Sequence, residues 1–366
     1  MNDPELLSVL ALHNAPNLGD STAKKLIRHF GSAEAIFKEK PASILKIDGI
    51  GKIRLEGLFD SERFKAAEGE LKFIKNNKID CHYYQDPDYP EKLKHCIDGP
   101  ILLFSRGTID LKNRKILSIV GTRKITSSGI EFCEKLIEEL SPLDPVIVSG
   151  FAYGVDITAQ KAAIKNQLQT IGCLAHGLNQ IYPKSHARYI SQIEENGGFF
   201  TDFWSSDTFD RNNFLKRNRI IAGLSEAIVV IESAEKGGSL VTADIANSYD
   251  REVFAVPGRP SDLQSAGCLN LIKSQNAHVL TSAADLLYIL NWELKPTVKE
   301  IQKQLFIELE PHEQLIYDFL QDKGKQQLDH ISLNCKMPTF KAAGILLEME
   351  LKGAIRPLPG KLFEVI

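Results

Sequence analysis

Apolar runs and helical patterns alternate regularly between residues 113 and 290, and this alternation constrains the fold more than any other feature. The strand candidates are Ile116–Gly121, Val146–Gly150, Thr170–Ala175, Gly198–Asp202, Ala227–Ser233, Glu252–Pro257 and His278–Thr281. The helical patterns between them are Ser128–Leu140, Asp156–Asn166, Ala187–Asn196, Asn213–Gly223 and Thr242–Tyr249. The strand segments are continuously apolar, which is typical of strands buried on both faces. The pattern therefore predicts an α/β fold with a doubly wound, mostly parallel sheet.

Two glycine-containing turns follow strands of this predicted sheet. Gly237-Gly238-Ser239 comes directly after the apolar run at 227–232, and Gly121-Thr122-Arg123 follows the run at 116–120. Glycines let a backbone approach an anion closely, and the free N–H groups at a helix start attract negative charge. Thr242 and Ser239 can add hydroxyl donors. Because ligands of such sheets bind at the carboxyl ends of the strands, the two turns predict a ligand with several phosphates, such as a nucleic-acid strand.

A third glycine turn, Ser149-Gly150 to Gly154, follows another strand and leads to Asp156. Its spacing is not GxGxxG, and no acidic residue follows at the distance that a ribose requires. The sequence therefore disfavours a dinucleotide, and no cofactor is expected. For Asp156 the simpler interpretation is a helix N-cap.

The densest basic stretch is Arg211–Arg219, which places Phe214 among four cations. Cations bind a phosphate backbone and an aromatic ring can stack on a base, which is accessible in single strands. A charged, solvated helix face is the ordinary alternative for such a run. Tyr182 and Lys184, after another strand, offer a further ring and a further charge, whereas His186 is expected to be a hydrogen-bonding surface residue.

The segments that flank the sheet have their own patterns. Residues 1–65 are predicted to be helical, with a hydrophobic–Gly–hydrophobic–Gly run at 44–52 that fits a helix-hairpin-helix as well as a plain hairpin with capping glycines. Residues 66–112 are a connector with short strands at Ile79–Tyr84 and Ile101–Phe104. A polar linker at 291–309 leads to residues 310–366, which are predicted to form a winged helix with a wing around Pro359-Gly360.

Composition and missing motifs argue against a polycationic, a zinc-binding, a secreted, a membrane-spanning and an ATP-hydrolysing protein. The 366 residues are 43% hydrophobic and 25% charged, and the formal net charge is −3, so basic charge for nucleic acid must be local. The six cysteines are scattered without a CxxC pair or zinc-ligand spacing, so no metal site is expected. We find no signal-peptide pattern, no apolar run long enough for a membrane span, and no Walker lysine motif. A cytoplasmic protein without ATPase, nuclease or dehydrogenase activity is expected.

The order of the motifs resembles the DNA-processing protein family called DprA or Smf. The motifs that carry this resemblance are VGTR at 120–123, SGFAYGVD at 149–156, YP at 182–183, FLKRNRIIAGLS at 214–225, ESAEKGGSLVTA at 232–243 and VFAVPG at 253–258. The resemblance implies an extended Rossmann-like domain at 113–290 that binds single-stranded DNA and forms a homodimer. It also implies loading of RecA onto single strands during natural transformation, with single-strand-binding protein as a further partner.

In the family, the arginine of the GTR motif and the basic pocket around the RNR segment hold DNA phosphates. The resemblance carries this role to Arg123, Lys184, Arg217 and Arg219. The full set of expected binding residues is Gly121, Thr122, Arg123, Ser149, Gly150, Gly154, Tyr182, Lys184, Phe214, Arg217, Asn218, Arg219, Gly237, Gly238, Ser239 and Thr242. No catalytic residue is expected.

Two other functions remain open on the sequence. The GGSLVTA run is also similar to the phosphate loop of nucleotide phosphoribohydrolases, which are enzymes, although the following helix carries Asp244 rather than a glutamate. A duplex-DNA factor that uses the flanking units is the third hypothesis. Residues 297–366 hold nine Lys or Arg against ten Asp or Glu, a balance that weakens this third hypothesis.

Overall fold

The computed structural model describes residues 2–293, 309–358 and 362–365. The chain divides into two compact units, residues 1–295 and 296–366. Most of the predicted linker at 291–309 and the predicted turn at Pro359-Gly360 lie outside the described residues.

The first unit begins with helices, as the sequence predicts. They are α1 (Asp3–His13), α2 (Asp20–Phe30), α3 (Ala33–Lys38), α4 (Pro41–Ile44), α5 (Lys52–Leu55) and α6 (Ser61–Asn76). Side-chain caps fix three of the starts: Asn2 accepts a hydrogen bond from the Glu5 amide at 2.9 Å, Ser32 accepts one from the Ala35 amide at 3.0 Å, and Asp60 accepts one from the Glu62 amide at 3.0 Å. The hydrophobic–Gly–hydrophobic–Gly run becomes two single-turn helices, α4 and α5, with Gly49 and Gly51 between them.

A nine-stranded sheet forms the centre of the unit. Its strands are β1 (Asp80–Tyr83), β2 (Leu102–Gly107), β3 (Ile116–Val120), β4 (Val146–Ser149), β5 (Thr170–Cys173), β6 (Gly197–Thr201), β7 (Ala227–Val230), β8 (Glu252–Ala255) and β9 (His278–Val279). The spatial order is β1-β2-β6-β5-β4-β3-β7-β8-β9. The strands from β3 to β9 pair in parallel, and β2 adds antiparallel to β6. All seven predicted strands of the core are therefore confirmed.

The sheet extends across position 112, because β1 and β2 belong to the predicted connector. β2 pairs with β6 and β1 pairs with β2, so the connector covers what would otherwise be an open edge of the parallel sheet. A unit that holds the whole sheet therefore begins near residue 80 rather than at 113.

Helices cover both faces of the sheet, which explains why its central strands are apolar throughout. They are α7 (Glu91–Lys94), α8 (Ser127–Leu140), α9 (Val155–Lys165), α10 (Ile190–Glu195), α11 (Asn212–Leu224), α12 (Gly238–Ser248), α13 (Ala266–Lys273) and α14 (Ala283–Leu290). On one face, Leu117 and Val229 pack in a core with α8, α9 and α14. On the other face, Val120 and Val230 pack in a core that also contains α11 and the N-terminal helices.

The order of the strands creates a switch point between β3 and β7. The chain leaves β3 towards β4, β5 and β6 on one side, and returns to β7 on the other side of β3. Connections that diverge in this way open a crevice at the carboxyl ends of the two strands. The two predicted phosphate turns follow these two strands.

The second unit has the predicted winged-helix architecture. It contains α15 (Pro311–Lys323), β10 (Gln326–Gln327), α16 (Leu328–Asn334), α17 (Thr339–Leu351), β11 (Ile355–Leu358) and β12 (Leu362–Val365). The strands form a sheet in the order β10-β12-β11. Ile316, Ile331, Leu346 and Met349 belong to a separate core that this unit makes with its own helices.

Candidate nucleic-acid interface

A cleft of about 600 Å³ lies at the switch point of the sheet. Its walls come from the turn after β3, the loop after β4, helix α11, and the turn between β7 and α12. The structure brings together eleven of the predicted binding residues there: Gly121, Thr122, Arg123, Tyr182, Phe214, Arg217, Asn218, Gly237, Gly238, Ser239 and Thr242. The cleft is large enough for a small ligand or for a short part of an extended one.

The turn after β3 is held rigidly by the segment that follows β7. The Thr122 amide donates to the Glu232 carbonyl at 2.7 Å, and the Glu232 carboxylate accepts a hydrogen bond from the Thr126 amide at 2.9 Å. Arg123 is exposed beside this fixed turn, and its guanidinium carbon lies 5.0 Å from the centre of the Phe214 ring. This stacked arrangement orients a positive charge at the rim of the cleft.

The start of α12 faces the cleft with free amide groups. Gly237 is the N-cap residue and supplies no side-chain hydrogen bond to the first turn. A side chain built onto Gly238 would meet nothing within 4 Å, so the protein leaves open space above this turn. Ser239 donates to the Ser233 hydroxyl at 2.9 Å. Uncapped amides at the positive end of a helix dipole, with space above them, can bind a phosphate.

Three aromatic rings form a cluster at the mouth of the cleft. The ring centres of Tyr182 and Phe209 are 4.9 Å apart, and Phe214 lies 5.9 Å from Tyr182 and 5.7 Å from Phe209. Phe209 is 46% exposed, which leaves much of its ring available to a stacking partner. Phe209 is not among the residues predicted from the sequence, although it stands only two positions before the basic stretch that begins at Arg211.

Arg217 is a buried residue that forms part of the floor of the cleft. Its Nη1 donates to the carbonyl oxygens of Gly150 and Cys173, each at 2.7 Å, and its Nε has no partner among the described residues. Burial lowers the pKa of Arg217, although the nearby Asp156 carboxyl opposes that shift. The guanidinium thus joins the loop after β4 to the end of β5, and it also adds positive potential to the floor of the cleft.

Asp156 is the one carboxylate among the described residues that line the cleft. Burial raises its pKa, while Arg217 and the Ala152 amide, which donates to Asp156 Oδ2 at 3.3 Å, act in the opposite direction. The expectation of an N-cap is wrong, because Gly154 is the N-cap of α9 and Asp156 lies within the first turn. Three arginines, Arg123, Arg211 and Arg217, outnumber this single acid, so the cleft is suited to anions.

Five predicted binding residues do not line the cleft: Ser149, Gly150, Gly154, Lys184 and Arg219. Ser149 is buried and donates to the Ile119 carbonyl at 2.6 Å, so its hydroxyl fastens β4 to β3. Gly150 and Gly154 belong to the loop behind the cleft, where the Gly150 carbonyl receives Arg217. Lys184 is exposed at the start of a 3₁₀ turn, Lys184–Tyr189, and does not line the cleft.

The side chain of Arg219 does not face the cleft, in contrast to the phosphate-binding role that the sequence predicts for it. Its Nη1 donates to Asp20 Oδ2 at 2.9 Å and to the Asp98 carbonyl, and its Nη2 pairs with Asp202. Burial alone would lower the pKa of Arg219, but the two carboxylates outweigh it and raise the pKa. Arg219 therefore fastens α2 to the sheet unit and is not available to a phosphate in this structure.

Gly150→Ala is expected to damage the fold around the cleft. A Cβ there would overlap Arg217 Nη1 and come within 2.5 Å of Asp156 Oδ2. Because any shift of the guanidinium disturbs its hydrogen bonds to the Gly150 and Cys173 carbonyls, we expect a loss of about 1–3 kcal/mol in the free energy of unfolding. Urea denaturation measures this, and Gly344→Ala is the control, since a Cβ at that helical glycine meets nothing within 4 Å. Equal stability of Gly150→Ala and wild type would contradict the described packing.

Other predicted features can be compared with the described part of the chain. All six cysteines are unpaired thiols, and five of them are buried. Within the described ranges, no group of three or more His, Cys, Asp or Glu side chains is arranged to hold a metal ion. No helix among the described residues has the length and apolar character needed to cross a bilayer.

Comparisons with known proteins agree with this architecture. A family model described as DNA recombination-mediator protein A matches residues 80–291, and a DprA winged helix domain model matches residues 304–361. Protein Smf of Escherichia coli is 33% identical over 276 residues, which cover 74% of this chain and 74% of that protein. Protein Smf of Synechocystis is 32% identical over 76% of this chain and 71% of that protein.

Two solved structures are similar to this fold. DNA processing protein A of Streptococcus pneumoniae has a TM-score of 0.67 and 29% identity, and the match covers 78% of this chain and 98% of that one. The Helicobacter pylori protein, studied for its single-stranded DNA binding mode, has a TM-score of 0.53 and 27% identity, with 58% and 96% covered. The chain therefore belongs to the DprA/Smf family of DNA recombination-mediator proteins.

Proposed function

We propose that this chain binds single-stranded DNA in the cleft at the switch point and presents it to RecA during recombination of incoming DNA. The observation that carries the proposal is the combination of exposed rings, arginines and uncapped helix amides around one cleft. The described binding mode of the Helicobacter pylori relative supports the same class of ligand.

The geometry favours a single strand because rings and cations lie side by side. Tyr182 and Phe209 are each more than one third exposed, so bases that are free of a complementary strand can stack on them. Arg123 and Arg211 line the same cleft and can hold the phosphates between such bases. In a duplex the faces of the bases are covered by their neighbours, and only the phosphate contacts remain.

A second copy of the chain, RecA and single-strand-binding protein are the proposed partners. They rest on membership of the family, and we assign no surface residues to RecA or to single-strand-binding protein. For the proposed DNA-binding and dimerising core, the sheet supports residues 80–291 rather than 113–290, because β1 and β2 complete it.

A role without catalysis is part of the proposal. The alternative, a nucleotide phosphoribohydrolase, needs a carboxylate at the glycosidic bond. Asp156 is buried and accepts a hydrogen bond from the Ala152 amide. Asp244 is exposed and does not line the cleft. An assay for free base released from nucleoside monophosphates tests this alternative directly, and turnover in pure protein would overturn the non-enzymatic role.

Binding of oligo-dT and of a duplex of equal length tests the proposed function. We expect tighter binding of the single strand at moderate salt, and a loss of about 1–3 kcal/mol of binding free energy in Phe209→Ala, because one stacked base loses its platform. Tyr288→Ala is the matched control, since Tyr288 is an 88% exposed aromatic residue outside the cleft. Equal affinity of wild type for the two DNA forms would contradict the proposal.

A further inference from the structure

Helix α17 of the second unit carries an exposed apolar stripe. Phe340 is 81% exposed, Leu347 57% and Leu351 81%, although the opposite face of the helix, with Leu346 and Met349, is buried in the core of the unit. Spacings of seven and four residues place the three side chains on one face of a helix. Three large apolar side chains in a row on a surface helix indicate a binding surface.

The charges around the stripe argue for a protein partner rather than DNA. Glu348 and Glu350 are exposed on the same helix, and the region 297–366 has one more acidic than basic residue. This balance offers a phosphate backbone no excess of positive charge. Lys341 and Glu348 are both exposed, and their spacing of seven residues places them on the same side of α17, next to the stripe. Lys341 Nζ lies 3.3 Å from His312 Nε2.

We propose that the stripe binds the same stripe of a second copy of this chain, with the two α17 helices antiparallel. The arrangement of residues is self-complementary about a two-fold axis between Ile345 and Leu346, as a symmetric dimer requires. Phe340 then lies over the partner's Leu351, and Leu347 lies over the partner's Gly344.

Two details of the helix fit this pairing. A Cβ on Gly344 would meet nothing within 4 Å, so this exposed glycine leaves a hollow in the stripe that can receive the Leu347 side chain of the second copy. In an antiparallel pair the same flanks meet, so Lys341 lies beside the partner's Glu348, and the two-fold axis forms this ion pair twice. Shape and charge are thus both complementary to a second copy.

The expected interface is small, because one helix of 13 residues supplies it. Such an area lies at the low end of specific interfaces, where association is weak and reversible. This contact is separate from the proposed dimer of the Rossmann-like core, and it is measured as an increase in molecular mass in the absence of DNA. If the α17 contact does not form, the proposed DNA-binding function is unaffected.

Sedimentation equilibrium of the full chain tests the surface. We expect wild type to show a concentration-dependent association step that a chain ending at residue 293 lacks. Leu347→Glu should raise the dissociation constant of that step at least about tenfold, because it buries a charge between two apolar stripes. Leu315→Glu, on α15, is the control with similar exposure and should leave the step unchanged.

A charge exchange tests the register. Lys341→Glu alone and Glu348→Lys alone place like charges together and should each weaken association, whereas an equal mixture of these two variants forms two opposite-charge pairs and should associate more tightly than either alone. Both positions are exposed, so the substitutions leave the fold intact. A wild type without the step, or a mixture no tighter than the separate variants, would overturn the proposal.

Discussion

Arg219→Ala is expected to lower the free energy of unfolding by about 3–5 kcal/mol, the usual cost of removing one partner from a buried ion pair. The substitution leaves Asp20 and Asp202 without their shared cation, and both side chains are largely buried. Urea denaturation at pH 7 measures the change. Lys65→Ala removes an exposed ion pair with Glu62 and is the control, with an expected effect below about 1 kcal/mol.

The pH dependence of this effect has a defined sign. In wild type, burial would raise the pKa of Asp20, but Arg219, His13 and the Ile101 amide together outweigh burial and hold the pKa below its ordinary value of 3.8. Its contribution to stability is therefore full above that value and is lost as the pH falls through the lowered pKa. In Arg219→Ala, His13 and the Ile101 amide remain, but the strongest group that opposes burial is lost. We therefore expect a higher pKa for Asp20 and a penalty on the folded variant at neutral pH. We expect a smaller difference between wild type and variant at pH 5 than at pH 7.

The same variant decides whether Arg219 contacts DNA. Measured where the protein is folded, the dependence of oligo-dT affinity on salt should equal that of wild type, because the side chain faces α2 and not the cleft. A salt slope reduced by one phosphate contact would show that the original expectation for Arg219 was correct.

Arg123→Ala combined with Arg211→Ala is expected to reduce single-strand affinity about 100-fold or more. Each arginine is exposed at the cleft, and a hydrogen bond to a charged group contributes about 1.5–3 kcal/mol. The salt slope should fall by about 1.4, since each lost phosphate contact on a single strand removes about 0.7. Titration of labelled oligo-dT across a range of salt concentrations gives both quantities.

Lys124→Ala is the matched control for this double variant. Lys124 is exposed next to Arg123 but does not line the cleft, so its removal should leave the slope nearly unchanged. If the double variant keeps the slope of wild type, then the arginines are not in the DNA path. Arg217→Ala is a poorer test, because Arg217 also holds two buried carbonyl groups.

The sequence was sufficient to predict the sheet and the position of the cleft. Buried parallel strands are continuously apolar, and a turn that follows such a strand must lie at its carboxyl end. Gly121 and Gly237 therefore came together as predicted, although 116 positions separate them in the chain.

The sequence could not tell which cations of the basic stretch face the cleft. Arg217 and Arg219 are two positions apart on α11, and at 3.6 residues per turn this places them on nearly opposite sides of the helix. Only the packing of α11 against both the sheet and α2 decides that Arg217 faces the cleft and Arg219 does not. Ser149 is a similar case, because a hydroxyl at the end of a strand can donate a hydrogen bond either to a neighbouring strand or to a ligand, and the sequence does not distinguish the two.

The contacts between the N-terminal helices and the sheet limit where this chain can be truncated or fused to another protein. Besides the Arg219 pair, Glu70 on α6 receives the Ser205 amide at 2.9 Å, and the Trp204 indole donates to His13 on α1 at 3.0 Å. A chain that begins after these helices would lose Asp20, one of the two carboxylates that pair with Arg219, and would also expose the Trp204 ring. The helical segment therefore cannot be separated from the sheet without a structural cost, and a recombinant fusion that replaces it must supply an acid at the position of Asp20.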